Sequence, residues 1–568
     1  MIPTALKSRR VPLSILSFFL SLAPLSCTKP KNGASQAFAT ETAPPTAQQA
    51  LRGACVEAGS AWCKEYSQRR ANLDAYLQSH RDDFKSFATA SLGHSGFPYI
   101  LLRLAPELFP DLIAAQGKDF ARLGFAADTF NPKSGLPLGL NYSSKAIQFA
   151  GIPIQTPIHV ATLSCGACHI GRVAGPDGQL IELVGAGNSH FDSSGLFKMF
   201  LNIVDHPNYR ADRVRAAIES KPAGWFYGNN TDQGIQEAVE RQLYLTLTDQ
   251  VLASIKGFVH KTIERQNTFI NQTAYVPTGA ANYFDRTPGR ADAVGLALAY
   301  YVNEDQTHEM PKTPTITKIM SIWAQNKRQI SHWTGDMPSG IHPVVAAAVA
   351  VVNETKHLNV DNILRSTRFI DQLPPPPYPF AVDMERVKRG KVLYDSYCAS
   401  CHQGDQRVYP YSELGTDPAR LGSPSKLTYA GFNKALHEGC PKNELGKACF
   451  NDDQPVLRPL DWSIGYVATP LDGIWARAPY LHNGSVPTLY HLLVPRQRPA
   501  RFIVGSMQYD TAMVGFEWQQ PMENTEVYIT GRPGQMSGGH DSAAYLGPIN
   551  WETEVERRLD LMEYMKTL

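Results

Sequence analysis

Two pentapeptides of one form, Cys165-Gly166-Ala167-Cys168-His169 and Cys398-Ala399-Ser400-Cys401-His402, constrain this 568-residue chain more than anything else in it. The chain has 9 Cys and 16 His. At that composition chance supplies about 0.004 matches to Cys-x-x-Cys-His, the attachment pattern of a c-type haem. The spacing has a chemical reason: two thioethers pin one porphyrin edge while the following imidazole reaches the iron. The competing readings are a zinc knuckle and a thioredoxin-like Cys-x-x-Cys. Free pairs of that kind oxidise in an exported chain, and a thioredoxin-like motif does not call for the following His. The expectation is two covalent haem c groups held by Cys165, Cys168, Cys398 and Cys401, with His169 and His402 as proximal iron ligands.

Export is expected from the first residues. Lys7, Arg9 and Arg10 precede an apolar run from Val11 to Leu25, the length of a secretory h-region and too short to span a bilayer. Pro24-Leu25-Ser26-Cys27 has the small residue and Cys of a lipobox, with Pro where Leu is usual; Ala37-Phe38-Ala39 offers ordinary cleavage instead. A lipid anchor at Cys27 is thus one of two outcomes. Residues 1–27 read as signal and 28–50 as a flexible tether, giving a protein of the periplasm, anchored to the outer membrane or secreted. By proximity, Cys55 pairs with Cys63 and Cys440 with Cys449 as disulfides of an oxidising compartment.

The run Leu373-Pro374-Pro375-Pro376-Pro377-Tyr378-Pro379 reads as a stiff spacer. It divides an N-terminal haem domain, 51–372, from a linker, 373–380, and a C-terminal cytochrome c domain, 381–568. Asp383 is placed to cap a helix in which Met384, Val387, Tyr394 and Cys398 recur at helical spacing. Trp551, Val555, Leu559 and Met562 make one stripe of a terminal helix over Asn550 to Leu568. Ile235, Val239, Leu243, Leu247, Val251 and Ile255 predict one continuous amphipathic helix of about seven turns. Val344 to Val352, nine apolar residues, reads as buried core. The first Cys-x-x-Cys-His follows an extended-looking segment, 152–164. With 43 Gly and 41 Pro, the fold class expected is mostly α, two c-type cytochrome haem domains with long loops and few strands. A net charge of +2 gives no electrostatic case for nucleic acid.

The sixth ligand decides between electron transfer and chemistry at each iron. For the second haem no Met lies between His402 and Met507, which favours a second His. The candidates are His437, His482, His491 and His540, against Met507, Met513, Met522 and Met536. For the first haem they are His190, Met199 and His206. An iron left with one protein ligand is open to dioxygen or peroxide, and Trp225, Phe226, Tyr283 and Phe284 are candidate walls for an apolar substrate. The segment from Gly185 to Asp192 reads as a turn near the haem rather than a phosphate loop.

The two motifs, with Ala478-Pro479-Tyr480-Leu481-His482-Asn483-Gly484-Ser485-Val486-Pro487-Thr488-Leu489, resemble the bacterial di-haem cytochrome c peroxidase and MauG superfamily. Phe502 to Ser506, Val514-Gly515-Phe516, Gly539-His540 and the closing Leu561 to Leu568 look most like the di-haem rubber oxygenase (RoxA-like) subgroup. The likeness covers the second domain well, and the first through its haem motif and Gly289-Arg290-Ala291-Asp292-Ala293-Val294. The resemblance implies a haem-dependent oxidoreductase: the first haem, held by His169, takes dioxygen, and the second is bis-His through His402 and His540. His482 becomes a structural or haem-propionate neighbour. It also implies oxidative cleavage of an apolar substrate. A di-haem hydrogen-peroxide reductase or MauG-like oxidase, and a non-catalytic electron-transfer cytochrome working with a redox partner protein, are the alternatives. Calcium stays open as a further cofactor.

Overall fold

A strand delivers the first pentapeptide and a helix the second. Val160–Leu163 is the middle strand of a three-stranded antiparallel sheet, flanked by Phe97–Pro98 and Leu140–Tyr142. Ser164 converts strand to helix: its hydroxyl accepts from Gly166 N at 3.2 Å and donates to Ala88 O at 2.6 Å. The short helix Cys165–His169 follows, then Ile170–Ala174 pairs antiparallel with Leu180–Val184. At the second site Asp383 caps the helix Met384–Tyr397 by accepting from Glu385 N and Arg386 N at 2.9 and 3.1 Å. The helix Ala399–His402 comes directly after. These data come from a computed structural model, which describes residues 61–568 except 132–133, 144, 147–157, 176–177, 229–230, 273–286, 292–315, 353–354, 403–406, 422–432, 435, 439–464 and 523–524. The expected signal, tether and Cys27 anchor, and Cys55, Cys440, Cys449, Tyr283 and Phe284, lie outside the described residues.

The helix Met384–Tyr397 packs against the last helix, Val555–Lys566. Their crossing depends on Gly390, where a Cβ would stand 1.9 Å from Asp560 O. Beside that contact the Asp560 carboxylate accepts from Arg386 Nη1 at 3.1 Å and from Arg389 Nε and Nη2 at 2.8 Å. The terminal helix is shorter than the 550–568 expected. Asn550 Oδ1 accepts from Glu552 N at 3.1 Å, and such a local side-chain bond favours a turn over helix. Trp551 is buried before the helix begins, Val555 faces solvent, and the packed stripe is Leu561, Met562 and Met565.

The single helix expected through Ile235 and Ile255 is two, Thr231–Thr246 and Thr248–Gln272. At the break the Thr248 hydroxyl donates to Tyr244 O, a back-bond that bends helices. The first helix is also rotated from the expected face. Ile235 and Val239 are 62% and 49% exposed, whereas Glu237 and Glu240 are each 1% exposed. Both carboxylates have partners there, which is what allows the burial: Glu237 accepts from Gly224, Phe226 and Tyr227 N, and Glu240 from His159 N and the Tyr227 hydroxyl.

Val344 to Val352 lies in the helix Ile341–Val352 and is largely buried, as expected. The proline stretch is packed against its neighbours. Leu373 and Tyr378 are fully buried, and Trp475 Nε1 and Trp62 Nε1 donate to Pro376 O and Phe380 O at 3.0 and 3.1 Å. One apolar cluster joins Phe369, Leu373, Tyr378, Tyr394, Trp475 and Leu561 across it. A second gathers Leu101, Phe109, Ile203, Tyr244 and Ile255 on the N-terminal side. No helix among the described residues is long and apolar enough to cross a membrane.

Candidate haem sites

In both pentapeptides the cysteines are free thiols, while Cys63 is disulfide-bonded to a partner outside the described residues. Burial pushes the thiols of Cys165, Cys168 and Cys398 up to about 11, 12 and 12, with the neighbouring cysteine adding to it at Cys168 and Cys398. Free thiols in this spacing are available for thioether formation to a porphyrin edge. Among the described residues no three His, Cys, Asp or Glu side chains converge as a metal cage.

The two histidines that end the motifs are oriented alike. His169 Nδ1 lies 3.1 Å from Met320 O and His402 Nδ1 2.8 Å from Thr469 O. A carbonyl accepts only, so Nδ1 carries the proton and Nε2 keeps the lone pair that an iron takes. Burial depresses both imidazoles, His169 to about 4, which keeps them neutral.

Of the distal candidates the structure brings one to a motif. The rings of His402 and His540 have centroids 6.1 Å apart and planes 27° from parallel. With metal–nitrogen bonds of about 2.0 Å and each nitrogen about 1.1 Å from its ring centre, imidazoles on opposite sides of one metal have centroids about 6 Å apart. The pair therefore fits an iron between them. Burial, then the neighbouring His402 and Arg498, holds His540 down to about 3.

The loop carrying His540 is held tightly. His540 has φ 53° and Gly539 φ 109°, and a Cβ on Gly539 would meet Thr416 Cβ at 2.8 Å. Arg498 Nη1 donates to Ser537 O and Gly539 O at 2.5 and 2.8 Å, and its Nε donates to His491 O at 3.0 Å. No sequence signal marked Arg498.

The other candidates are placed elsewhere. His482 is buried and stacks on Tyr466 with centroids 4.1 Å apart. His491 Nδ1 is 2.7 Å from the Thr488 hydroxyl. Met522 and Met536 are exposed, and Met507 and Met513 are partly exposed. His437 is partly buried on a short helical stretch.

Near the first motif the turn expected over 185–192 is present and grips it: Gly185 N donates to His169 O and Asn188 N to Cys168 O, both at 2.8 Å. Asn188 Nδ2 adds bonds of 2.9 Å to Gly124 O and Ala167 O. His190 Nε2 is taken by Arg172 O at 2.8 Å, His206 pairs with Asp111 at 3.2 Å, and Met199 is buried in the N-terminal core. That core, with Phe97, Phe191 and Phe200, also packs against Cys168. Phe226 is core, and Trp225 lies against it under Arg103, whose guanidinium is 4.4 Å from the ring centre. The backbone acceptors Met320 and Thr469 were invisible in the sequence, because a carbonyl has no residue-type signature.

Comparison with known proteins finds a cytochrome c-like segment on the C-terminal side of the second motif. The family model described as RoxA-like, cytochrome c-like matches residues 465–503, a stretch holding Thr469, Arg498 and the His482 turn. The model for the Y4iN-like domain matches residues 83–169, ending on His169. The uncharacterized protein y4iM of Sinorhizobium fredii is 30% identical over 417 residues, 63% of this chain and 96% of the relative. From the same organism, the uncharacterized protein y4iJ is 38% identical over 171 residues, 29% of this chain and 28% of that protein. The uncharacterized protein y4iN is 32% identical over 123 residues, 19% and 59% respectively. Aligned with nearly the whole of y4iM, the chain belongs to the y4iM family and carries within it a RoxA-like, cytochrome c-like segment that supports haem as its cofactor.

Proposed function

We propose that this protein is an exported c-type cytochrome oxidoreductase with two covalently bound haems, one in each of two haem domains. Cys165 and Cys168 hold the first and Cys398 and Cys401 the second. His169 is the single protein ligand at the first iron; His402 and His540 ligate the second from opposite faces. Bound haem supplies one-electron chemistry and, at an iron with one protein ligand, a place for an exogenous molecule.

The observation that carries the reading is the 6.1 Å separation of the His402 and His540 rings, set against the first site, where His190 and His206 are taken by other partners. The chain's own part is to orient. Met320 O and Thr469 O fix the tautomers, Asn188 anchors the first motif, and the aromatic core beside Cys168 keeps water from that side and suits an apolar substrate. Dioxygen activation with oxidation or cleavage of an apolar substrate is the reaction class we favour.

The test is mass spectrometry and spectroscopy on protein matured in a host that assembles cytochromes c. Wild type should carry two porphyrins and the Cys165→Ala/Cys168→Ala double variant one. Reduced wild type should bind carbon monoxide at one haem only. Two haems that both refuse carbon monoxide would leave an electron carrier, and rapid peroxide turnover with a cytochrome donor would leave a peroxidase.

A further inference from the structure

A partly open pocket lies where the supports of the two motif histidines meet, and its wall is strongly one-signed. Arg290, Lys318, Arg328 and Arg477 line it, and among the described residues no aspartate or glutamate does. Arg290, Lys318 and Arg328 are 4%, 9% and 8% exposed. Arg477 is close enough to Lys318 and to Arg328 for their charges to oppose one another. Asp472 offsets part of this, but it also stands 3.6 Å from Lys327. The Nε atoms of Arg290 and Arg477 are buried without a hydrogen-bond partner. Several buried cations with so little counter-charge are expensive unless an anion joins them.

The pocket's position indicates which anion. Met320 and Thr469, whose carbonyls hold His169 and His402, both line it. One wall is therefore shared by the supports of both imidazoles. Each haem c carries two propionate carboxylates, and a guanidinium fork matches a carboxylate in shape and charge.

We infer that this pocket receives propionates from both haems, with Arg477 shared between them and Arg290, Lys318 and Arg328 supplying the remaining charge. The inference rests on the two-haem reading. Its consequence is electrostatic: the irons share one set of cations, so a charge change in the pocket is felt at both. The pocket residues bind the cofactor's edge and take no part in electron exchange themselves.

The experiment is spectroelectrochemical titration of the intact two-haem protein, wild type beside Arg477→Gln and Arg328→Gln, with the haem count checked by mass. Loss of a cation leaves propionate charge unmatched and favours the ferric state, so both midpoint potentials should move to more negative values in each variant. The propionate-bending bands in resonance Raman spectra should shift with them. A wild type with fewer than two haems would sink the two-haem reading and this inference together. Two haems whose potentials and propionate bands stay where they were, or a shift at one haem alone, would overturn the inference only. So would wild-type potentials that respond to added acetate while the variants' propionate bands stay unmoved, since the pocket would then hold a free anion. Arg328→Gln keeps the test decisive if the more heavily bonded Arg477 proves necessary for folding.

Discussion

His540 faces His402 with ring centroids 6.1 Å apart, from a backbone position with φ 53° in a loop far along the chain from that motif. A left-handed non-glycine residue is uncommon and is retained where the surroundings fix it. His540→Ala should remove one ligand from the second iron and nothing from the first. The expected result is conversion of one low-spin haem to high spin in the EPR and electronic spectra, with both porphyrins still attached. An unchanged second haem would rule out the pairing and return attention to His482 and the methionines.

Arg498 should matter to the same iron without touching it. Its bonds to Ser537, Gly539 and His491 carbonyls tie the His540 loop to the helix Leu489–Leu493. Arg498→Gln leaves several of those carbonyls without their donor, and the loop gains freedom. The expected spectrum is a pH- and temperature-dependent mixture of six- and five-coordinate second haem, with added imidazole restoring the low-spin form. Arg498→Lys should recover part of the wild-type signal. A variant that merely melts earlier, with its ligand field intact below the transition, would mark Arg498 as structural only.

What the sequence made legible follows from what side-chain types can encode. The Asp383 cap and the buried Val344 to Val352 run were readable because each is a local pattern with a local cause. His540 was reachable through its glycine-rich loop and the family resemblance. The face of the helix Thr231–Thr246 was misread because Glu237 and Glu240 are buried against backbone N–H groups and against His159 and Tyr227. Partners that distant in sequence leave no trace in a periodic pattern. The burial of the polyproline stretch under Trp475 was not legible for a related reason: stiffness is a property of composition, whereas burial is a tertiary fact. The cationic pocket draws Arg290, Lys318, Arg328 and Arg477 from separate segments, and only the fold collects them.

Acid should destabilise the protein through histidines that are not ligands. Burial holds His482 down to about 3, with Arg420 and Arg290 adding to it, and burial with Arg498 holds His491 down to about 4. In the unfolded chain the same groups titrate near 6.5. Between those values the unfolded state binds the proton and the folded state does not, so stability is full above about 6.5 and is lost as pH falls through the window. Each such group contributes a slope of up to about 1.4 kcal/mol per pH unit. His482→Phe keeps a ring against Tyr466 and removes the titration. Urea unfolding followed by tryptophan fluorescence at pH 7, 5.5 and 4.5 should show a shallower acid loss in the variant; parallel slopes would contradict the assignment.

Two glycine-to-alanine changes in helices should act in opposite directions, and the contrast isolates the crossing that carries the second motif. At Gly390 the added methyl meets Asp560 O at 1.9 Å, a backbone atom that cannot swing aside, and separating the helices would stretch the Arg386 and Arg389 bonds to Asp560. Overpacking at a fixed contact costs about 1–3 kcal/mol. At Gly257, exposed in the helix Thr248–Gln272, nothing lies within 4 Å of the new methyl. Relief of backbone entropy there stabilises by about 1 kcal/mol. Thermal unfolding should therefore show Gly390→Ala melting lower than wild type and Gly257→Ala slightly higher. Because the helix Met384–Tyr397 leads straight into Cys398, Gly390→Ala should also lower the fraction of chains carrying the second porphyrin, with the first at full occupancy. Equal loss of both porphyrins would mean that the helix crossing supports the whole molecule rather than the second site.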